Sequence, residues 1–350
     1  MLKKRIIGII LIVITGCSLI IFVPIQIISI HLSSYSTINE FSCFKYKPSS
    51  PSSIEKLYIN SDVGNVEIRY IDPPVDYYAL IDVNIVLNGQ KVAGKSYGDY
   101  LNITWDNSSS PVNFRLEIIS DDWFNPSLWL IQDVSIIVNL RKDIVFDILT
   151  NLTKGNFEIT VPYPVSIGSI ATNVSNGNIL YDFEYCSIQE NITVNINEGD
   201  LTFKINDVEY AHNNIWDLNV GKGNVNFEIF QNRDMGANIT GLIKVNDGRV
   251  FILYEDNSAD IGAILEIPYG DDFMDKDGFP TCISGVPNLD CTRVHGFDYP
   301  HIEATTYEGI VYFTSDDLLT NIVKGYYNIR FEIIQGYFDM NLKSIPFLFE

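Results

Sequence analysis

The chain has 350 residues, 46% of them hydrophobic, so it can bury a large core in one elongated domain or in two compact ones. Lys and Arg total 23 against 44 Asp and Glu, and the formal net charge of −21 excludes nucleic acid as a favoured partner because phosphate backbones repel acidic surfaces. Tyr and Phe supply 20 residues each, and side chains of this kind predict an all-β fold.

Residues 1–32 are predicted to form a transmembrane anchor. Lys3, Lys4 and Arg5 precede an apolar run at 6–30 that contains no charged residue. The run is long enough to cross a bilayer as a helix, and the positive-inside rule places its basic end in the cytoplasm. The sequence therefore predicts a single-pass membrane protein whose body is extracellular.

A bacterial lipoprotein is the alternative for this segment. Residues 14–17 resemble a lipobox, in which Cys17 would carry the lipid. The apolar run continues beyond that cysteine through residue 30, which is unusual for the start of a mature lipoprotein. The anchor is the favoured interpretation, and both interpretations place the body outside the cytoplasm.

The next segments are a stalk at 33–53 and the N-terminal β region of the repeat domain at 54–153. The stalk is rich in Pro and Ser near its end. The β region contains an aromatic loop with Trp123, Phe124 and Trp129, which is typical either of a partner-binding surface or of a buried cap.

A Gly-centred pattern then recurs, in which Gly is followed by alternating apolar residues. Five of its glycines are spaced 22, 22, 24 and 25 residues apart, a length typical of one turn of a β-solenoid. We expect a positive φ angle at each corner, which only glycine adopts without strain. The seven corner glycines are Gly64, Gly155, Gly177, Gly199, Gly223, Gly248 and Gly309.

The rungs at 154–256 are predicted to form a parallel β-solenoid, with an antiparallel hairpin ladder or meander as the alternative. The residues after four of the glycines, Asn156, Asn178, Asp200 and Asn224, would stack in register at one corner of a solenoid. Asn-Gly and Asp-Gly pairs are also strong hairpin turns, so the alternative stays open.

The chain resembles the prokaryotic "putative adhesin" family over about residues 54–254. The resemblance depends on GNVEI at the strand after Gly64, on VSIIVNLRKDI from Val134, and on the Gly-Asn and Gly-Asp rungs. It implies a solenoid-like β-fold displayed at the cell surface and a role in adhesion, and it supplies no ligand and no active residues.

The rung spacing is interrupted at 257–304, which reads as an insertion, before a final rung and C-terminal cap at 305–350. The insertion contains two cysteines, Cys282 and Cys291, whose short loop predicts a disulfide in an extracellular body. Cys43 and Cys186 would then pair by elimination.

An acidic loop precedes these cysteines and admits two interpretations. Its density of carboxylates suits Ca²⁺, but the EF-hand spacing is absent, which favours a solvated loop. The four candidate Ca²⁺ ligands are Asp271, Asp272, Asp275 and Asp277.

Six N-glycosylation sequons are spread along the body and predict a glycoprotein. They are Asn102, Asn107, Asn151, Asn173, Asn191 and Asn238.

The sequence contains none of the common catalytic motifs for hydrolases, zinc proteases or nucleotide-binding enzymes. We therefore predict no catalytic residues and no cofactor apart from the possible Ca²⁺. The favoured function is a cell-surface, adhesin-like interaction protein that binds a surface protein or a glycan. The alternative is a carbohydrate-processing enzyme on a β-helix scaffold.

Overall fold

The computed structural model describes residues 35–50, 52–108, 110–256, 261–268, 289–295, 302–307, 310–315 and 325–344. Most of these residues are in strands, so the predicted all-β class is confirmed. Among them there is no helix long and apolar enough to cross a membrane. The predicted anchor lies outside the described residues.

The described chain contains 24 strands and three short 3₁₀ helices. The helices are Tyr97–Asp99, Asp121–Phe124 and Pro126–Leu128. The strands are β1 (Ser36–Tyr46), β2 (Glu55–Val63), β3 (Asn65–Ile71), β4 (Ala79–Gly89), β5 (Leu101–Asp106), β6 (Val112–Ile118), β7 (Trp129–Arg141), β8 (Phe146–Lys154), β9 (Phe157–Val161), β10 (Ser166–Ile167), β11 (Ile170–Asn176), β12 (Ile179–Glu184), β13 (Ser187–Ile188), β14 (Ile192–Glu198), β15 (Leu201–Asn206), β16 (Glu209–Tyr210), β17 (Asn214–Lys222), β18 (Val225–Gln231), β19 (Ile239–Asp256), β20 (Ile261–Pro268), β21 (Leu289–His295), β22 (Ile302–Tyr307), β23 (Ile310–Ser315) and β24 (Gly325–Ser344).

The chain divides into two compact units. Unit 1 comprises residues 35–41, Asn84–Leu101 and Ile118–Val134, and unit 2 comprises Ser42–Val83, Asn102–Glu117 and the described part of the chain from Ser135 onwards.

Two runs of parallel strands organise unit 2. The first, the ladder sheet, has the order β6, β2, β8, β11, β14, β17, β19 and β24. The second has the order β3, β9, β12, β15, β18 and β19, and a short third run joins β10, β13 and β16. A hairpin ladder is therefore wrong for the rungs, because their strands pair in parallel with partners one repeat away.

The sheet as a whole is nevertheless mixed, so the expectation of a clearly parallel solenoid is not met. β23 pairs antiparallel with both β20 and β22, in the part of the chain where the regular rung spacing ends. Without a Gly corner every 22 to 25 residues the chain reverses direction there, and local antiparallel pairing needs only a short connection.

The core consists of the inward-facing residues of each rung. Because side chains alternate between the two faces of a strand, parallel registry stacks every second residue on its counterpart one rung away. Phe203 lies at the centre, with its ring centroid 5.2 Å from that of Trp216 and 5.4 Å from that of Phe227. The apolar residues that alternate after the corner glycines are buried, including Phe157, Ile159, Val161, Ile179, Tyr181, Phe183, Leu201, Ile205, Val225 and Ile229.

Candidate functional site

Five asparagines form one outward-facing row on the ladder sheet of unit 2. In-register pairing places Asn151 beside Asn60, and Asn173 beside Asn151. The same registry continues the row through Asn195 to Asn219. The row exists because these asparagines recur at the same place in each repeat, on the face opposite the buried positions.

The side chains of this row are joined by direct hydrogen bonds, and we call them the Asn ladder. Nδ2 of Asn151 donates to Oδ1 of Asn60 at 2.7 Å, and Nδ2 of Asn173 donates to Oδ1 of Asn151 at 2.8 Å. Asn195 and Asn219 each donate to the preceding member, at 2.9 Å and 3.3 Å. Asn219 donates its second N–H to Oδ1 of Asp217 at 2.8 Å. The carboxamides of Asn151, Asn173 and Asn195 each carry a second N–H and a second lone pair, with which they can bind a polar group from solvent.

A groove of about 480 Å³ lies along the first three members of the Asn ladder. Arg115 and Glu117 form an ion pair at 2.5 Å beside it, so the groove presents both charge signs at one margin. Hydroxyl groups and a further carboxylate complete the polar lining, from Ser61, Asp62, Thr153 and Ser175. The volume is in the range of small-molecule binding sites.

A second depression of about 240 Å³ lies farther along the same sheet. It is lined by the last two members of the Asn ladder together with Asn197, Lys244 and Asn246. From β2 to β17 the row offers neutral amides, and on β19 and β24 it continues with Lys244 and Glu332. Such a surface suits a ligand rich in hydroxyl groups, which can both donate and accept hydrogen bonds.

This row was not predicted from the sequence. Asn151 and Asn173 were noted only as sequons, although the spacings of 22, 22 and 24 between Asn151 and Asn219 match the glycine spacing. That shared spacing was the available signal. Equal spacing places the asparagines side by side only if the strands pair in parallel. The spacing alone left the direction of strand pairing open.

The corner glycines have the conformation that the repeat predicts. Gly64, Gly155, Gly177, Gly199, Gly223 and Gly248 all have φ between 119° and 159°. Gly309 lies outside the described residues.

The predicted stack of polar residues at this corner is present, as side chain to backbone bonds. The backbone N–H groups of Asn156 and Asn178 donate to Oδ1 of the preceding member at 3.0 Å each, starting from Asn65. Asp200 and Asn224 continue the series at 2.9 Å and 2.7 Å. The corner residues therefore hold each rung to the next, and the open hydrogen-bonding surface is the Asn ladder.

The aromatic loop is divided between interior and surface. Trp123 is buried, and Trp129 is half-buried with its Nε1 donating to the backbone oxygen of Asp122 at 2.9 Å. Phe124 is 72% exposed. Of the three predicted binding residues, only Phe124 extends fully into solvent.

The six sequons also differ in accessibility. Asn102, Asn107 and Asn191 are exposed, and Asn238 is half-buried. Asn151 and Asn173 belong to the Asn ladder.

The cysteine pair predicted by elimination is wrong. Cys43 and Cys186 are both free, the first exposed and the second buried. Cys43 lies against Asp82, whereas Cys186 is enclosed near Tyr70, so the fold holds the two thiols in different surroundings. Two further predictions lie outside the residues whose side chains are described. They are the predicted Cys282–Cys291 disulfide and the acidic loop with Asp271, Asp272, Asp275 and Asp277.

No family model matches the chain, so its resemblance to the prokaryotic adhesin family stays a prediction. No curated protein matches it. One similar solved structure is described as "a putative cell adhesion protein from Clostridium sporogenes". Its identity to this chain is 10%, the alignment covers 87% of this chain and 99% of that one, and the TM-score is 0.33. At that score we draw nothing about function from the likeness.

Proposed function

We propose that this chain is a membrane-anchored, non-enzymatic, adhesin-like protein of the cell surface that binds a glycan along its ladder sheet. The observation that carries the proposal is the Asn ladder with its polar groove of about 480 Å³. Neutral carboxamides and hydroxyls complement sugar hydroxyls, whereas the overall acidity disfavours polyanions.

In this proposal the apolar run at 6–30 is the single membrane anchor, with its N-terminus in the cytoplasm and the body outside. The Gly-centred rungs at 154–256 contribute β11, β14, β17 and β19 to the ladder sheet and act as its rigid scaffold. Parallel rungs in register support this role because each one is hydrogen-bonded to its neighbours.

The test is binding of the full-length protein to an array of neutral and charged glycans, with protein from a bacterial host that lacks N-glycosylation. Thr153→Arg places a long cationic side chain in the groove. Thr160→Arg is the matched control, because Thr160 is also exposed and lies in β9 of the same rung, on the other run of strands. We expect Thr153→Arg to weaken glycan binding at least tenfold and Thr160→Arg to leave it unchanged. Equal effects of the two changes, or no glycan bound, would contradict the proposal.

One observation favours the enzymatic alternative enough to test it. Asp62 and Glu117 both line the groove, and glycosidases use a pair of carboxylates. Glu117 is already committed to Arg115, which argues for a binding role. Chromatography of each bound glycan after prolonged incubation separates the two functions, since an enzyme releases shorter products.

A further inference from the structure

Unit 1 carries most of the large apolar side chains that are exposed in the described part of the chain. Phe124 is 72% exposed, Leu130 61% and Ile131 49%, and Phe41 and Ile119 in the same unit are also exposed. The comparable residues of unit 2, among those described, lie on separate elements: Tyr163 in the turn between β9 and β10, Ile215 on β17 and Phe251 on β19. We call Phe124, Leu130 and Ile131 the apolar tip.

Hydrogen bonds hold the apolar tip together. Nε2 of Gln132 donates to the backbone oxygen of Trp123 at 2.9 Å, which fixes the start of β7 beside the 3₁₀ helix that ends at Phe124. The rings of Trp123 and Trp129 lie 6.1 Å apart beneath it. Leu130 and Ile131 are consecutive in a strand and so point to opposite faces, yet both are exposed. Neither face of this end of β7 is therefore covered by the described part of the chain.

Unit 1 follows the N-terminal apolar run closely in sequence, and this indicates which partner covers the apolar tip. The described residues of unit 1 begin at Tyr35, whose hydroxyl accepts a hydrogen bond from Nε2 of Gln90 at 3.2 Å. Thr37 accepts another from Nδ2 of Asn88 at 2.8 Å. The start of β1 is thus attached to unit 1, and the apolar run of the sequence ends at Ile30, five residues before Tyr35. A five-residue link spans at most about 18 Å.

We infer that the apolar tip inserts into the interfacial region of the membrane that holds the N-terminal run. This inference rests on the proposed anchor, because the short link keeps unit 1 at the bilayer surface only if residues 6–30 lie in the bilayer. Burial of exposed Phe, Leu and Ile side chains in the acyl boundary is favourable, and a tryptophan beneath them suits the interface.

The charges near the tip indicate which lipid it meets. Lys91 is paired with Asp122 at 3.0 Å, and Asp121 and Asp133 are further acidic groups that form no ion pair with other described residues. Insertion therefore depends on apolar contact rather than on attraction to anionic headgroups. It takes place in phosphatidylcholine and does not weaken as salt is raised.

The experiment is photo-crosslinking of the full-length protein in phosphatidylcholine vesicles. The photoreactive residue p-benzoylphenylalanine replaces Phe124 in one protein and Ile215 in the other. Ile215 is the matched control because it is a 57% exposed apolar residue of unit 2. Mass spectrometry should find lipid adducts at position 124 at least tenfold above those at position 215, at low and at high salt.

Three other outcomes are distinguishable. The protein could resist carbonate extraction and yet show equally low lipid labelling at both positions. That outcome would overturn the inference but not the proposed anchor. Release of the protein by carbonate would overturn the anchor and the inference together. Crosslinks from position 124 to a second copy of the chain would overturn membrane insertion in favour of self-association.

Discussion

The corner of each rung shows how a single residue controls the spacing of the strands. A Cβ atom at Gly199 would overlap the carbonyl oxygen of Gly177 in the preceding rung, and its φ of 144° is one that other residues rarely adopt. Two constraints therefore coincide there, one on the backbone angle and one on space. Relief of the overlap requires the neighbouring rungs to move apart.

We predict that Gly199→Ala lowers the free energy of unfolding by at least about 1–3 kcal/mol, because the strained backbone and the overlap add to each other. Urea unfolding of the purified protein measures the change. Glu158→Ala is the control, since Glu158 is exposed on β9 and its loss should cost no more than about 0.5 kcal/mol. Similar losses for the two variants would show that the corner does not limit the rung spacing.

The buried thiol makes stability depend on alkaline pH. Burial raises the pKa of Cys186 from 9.0 to about 12, so the folded protein keeps a proton that the unfolded chain releases. The contribution is fully present below pH 9 and is lost as the pH rises from 9 towards 12, by up to about 1.4 kcal/mol per pH unit. Cys186→Val should therefore lose less stability than the natural protein between pH 8 and pH 11 in urea titrations. Parallel pH profiles for the two proteins would argue against a buried thiol.

At the scale of the element, the Asn ladder turns a repeat of sequence into a continuous polar surface. Asn173 both accepts from Asn195 and donates to Asn151, so its removal leaves two half-buried groups without their partners. We predict that Asn173→Ala costs about 1–3 kcal/mol, measured by urea unfolding. Asn197→Ala, one row away on the exposed end of β14, is the control and should be nearly neutral. A neutral Asn173→Ala would mean that solvent replaces the ladder bonds without loss.

The hydrogen bonds of the Asn ladder also divide the sequons into accessible and inaccessible ones. A glycan replaces a hydrogen on Nδ2, and strands of a sheet lie only about 4.8 Å apart, so there is little room for a sugar between rungs. In a glycosylating host, we predict that peptide mapping by mass spectrometry finds glycan at the exposed Asn191 and none at Asn151 or Asn173 in folded protein. Full occupancy at either ladder position would contradict the observed hydrogen bonding.

At the scale of the whole molecule, the N-terminal charges predict an extracellular body. Protease added to intact cells should remove the body and leave a cytoplasmic control protein intact, because Lys3, Lys4 and Arg5 keep the N-terminus inside. Protection of the body would reverse this topology and remove the basis for a surface adhesin.

Much of the architecture could be predicted from local pattern. Alternation and spacing are properties of short segments of sequence. They predict the all-β class, the burial of inward residues such as Tyr181 and Phe203, and the positive φ of Gly199. The antiparallel pairing of β23 could not be predicted, because it occurs where the repeat and its spacing end.

The candidate site depends more strongly on tertiary structure. The sequence by itself determined that asparagines recur at the interval of the glycines, and that an uncharged apolar run precedes the body. Only the tertiary structure decided that the strands pair in parallel, which brings Asn60 and Asn151 together across 91 residues. It also decided that Trp123 is buried while Phe124 is exposed, and that Cys186 is free in the core. The physical reason is that hydrogen-bond partners and burial belong to pairs of distant segments, whereas alternation and spacing are properties of one segment alone.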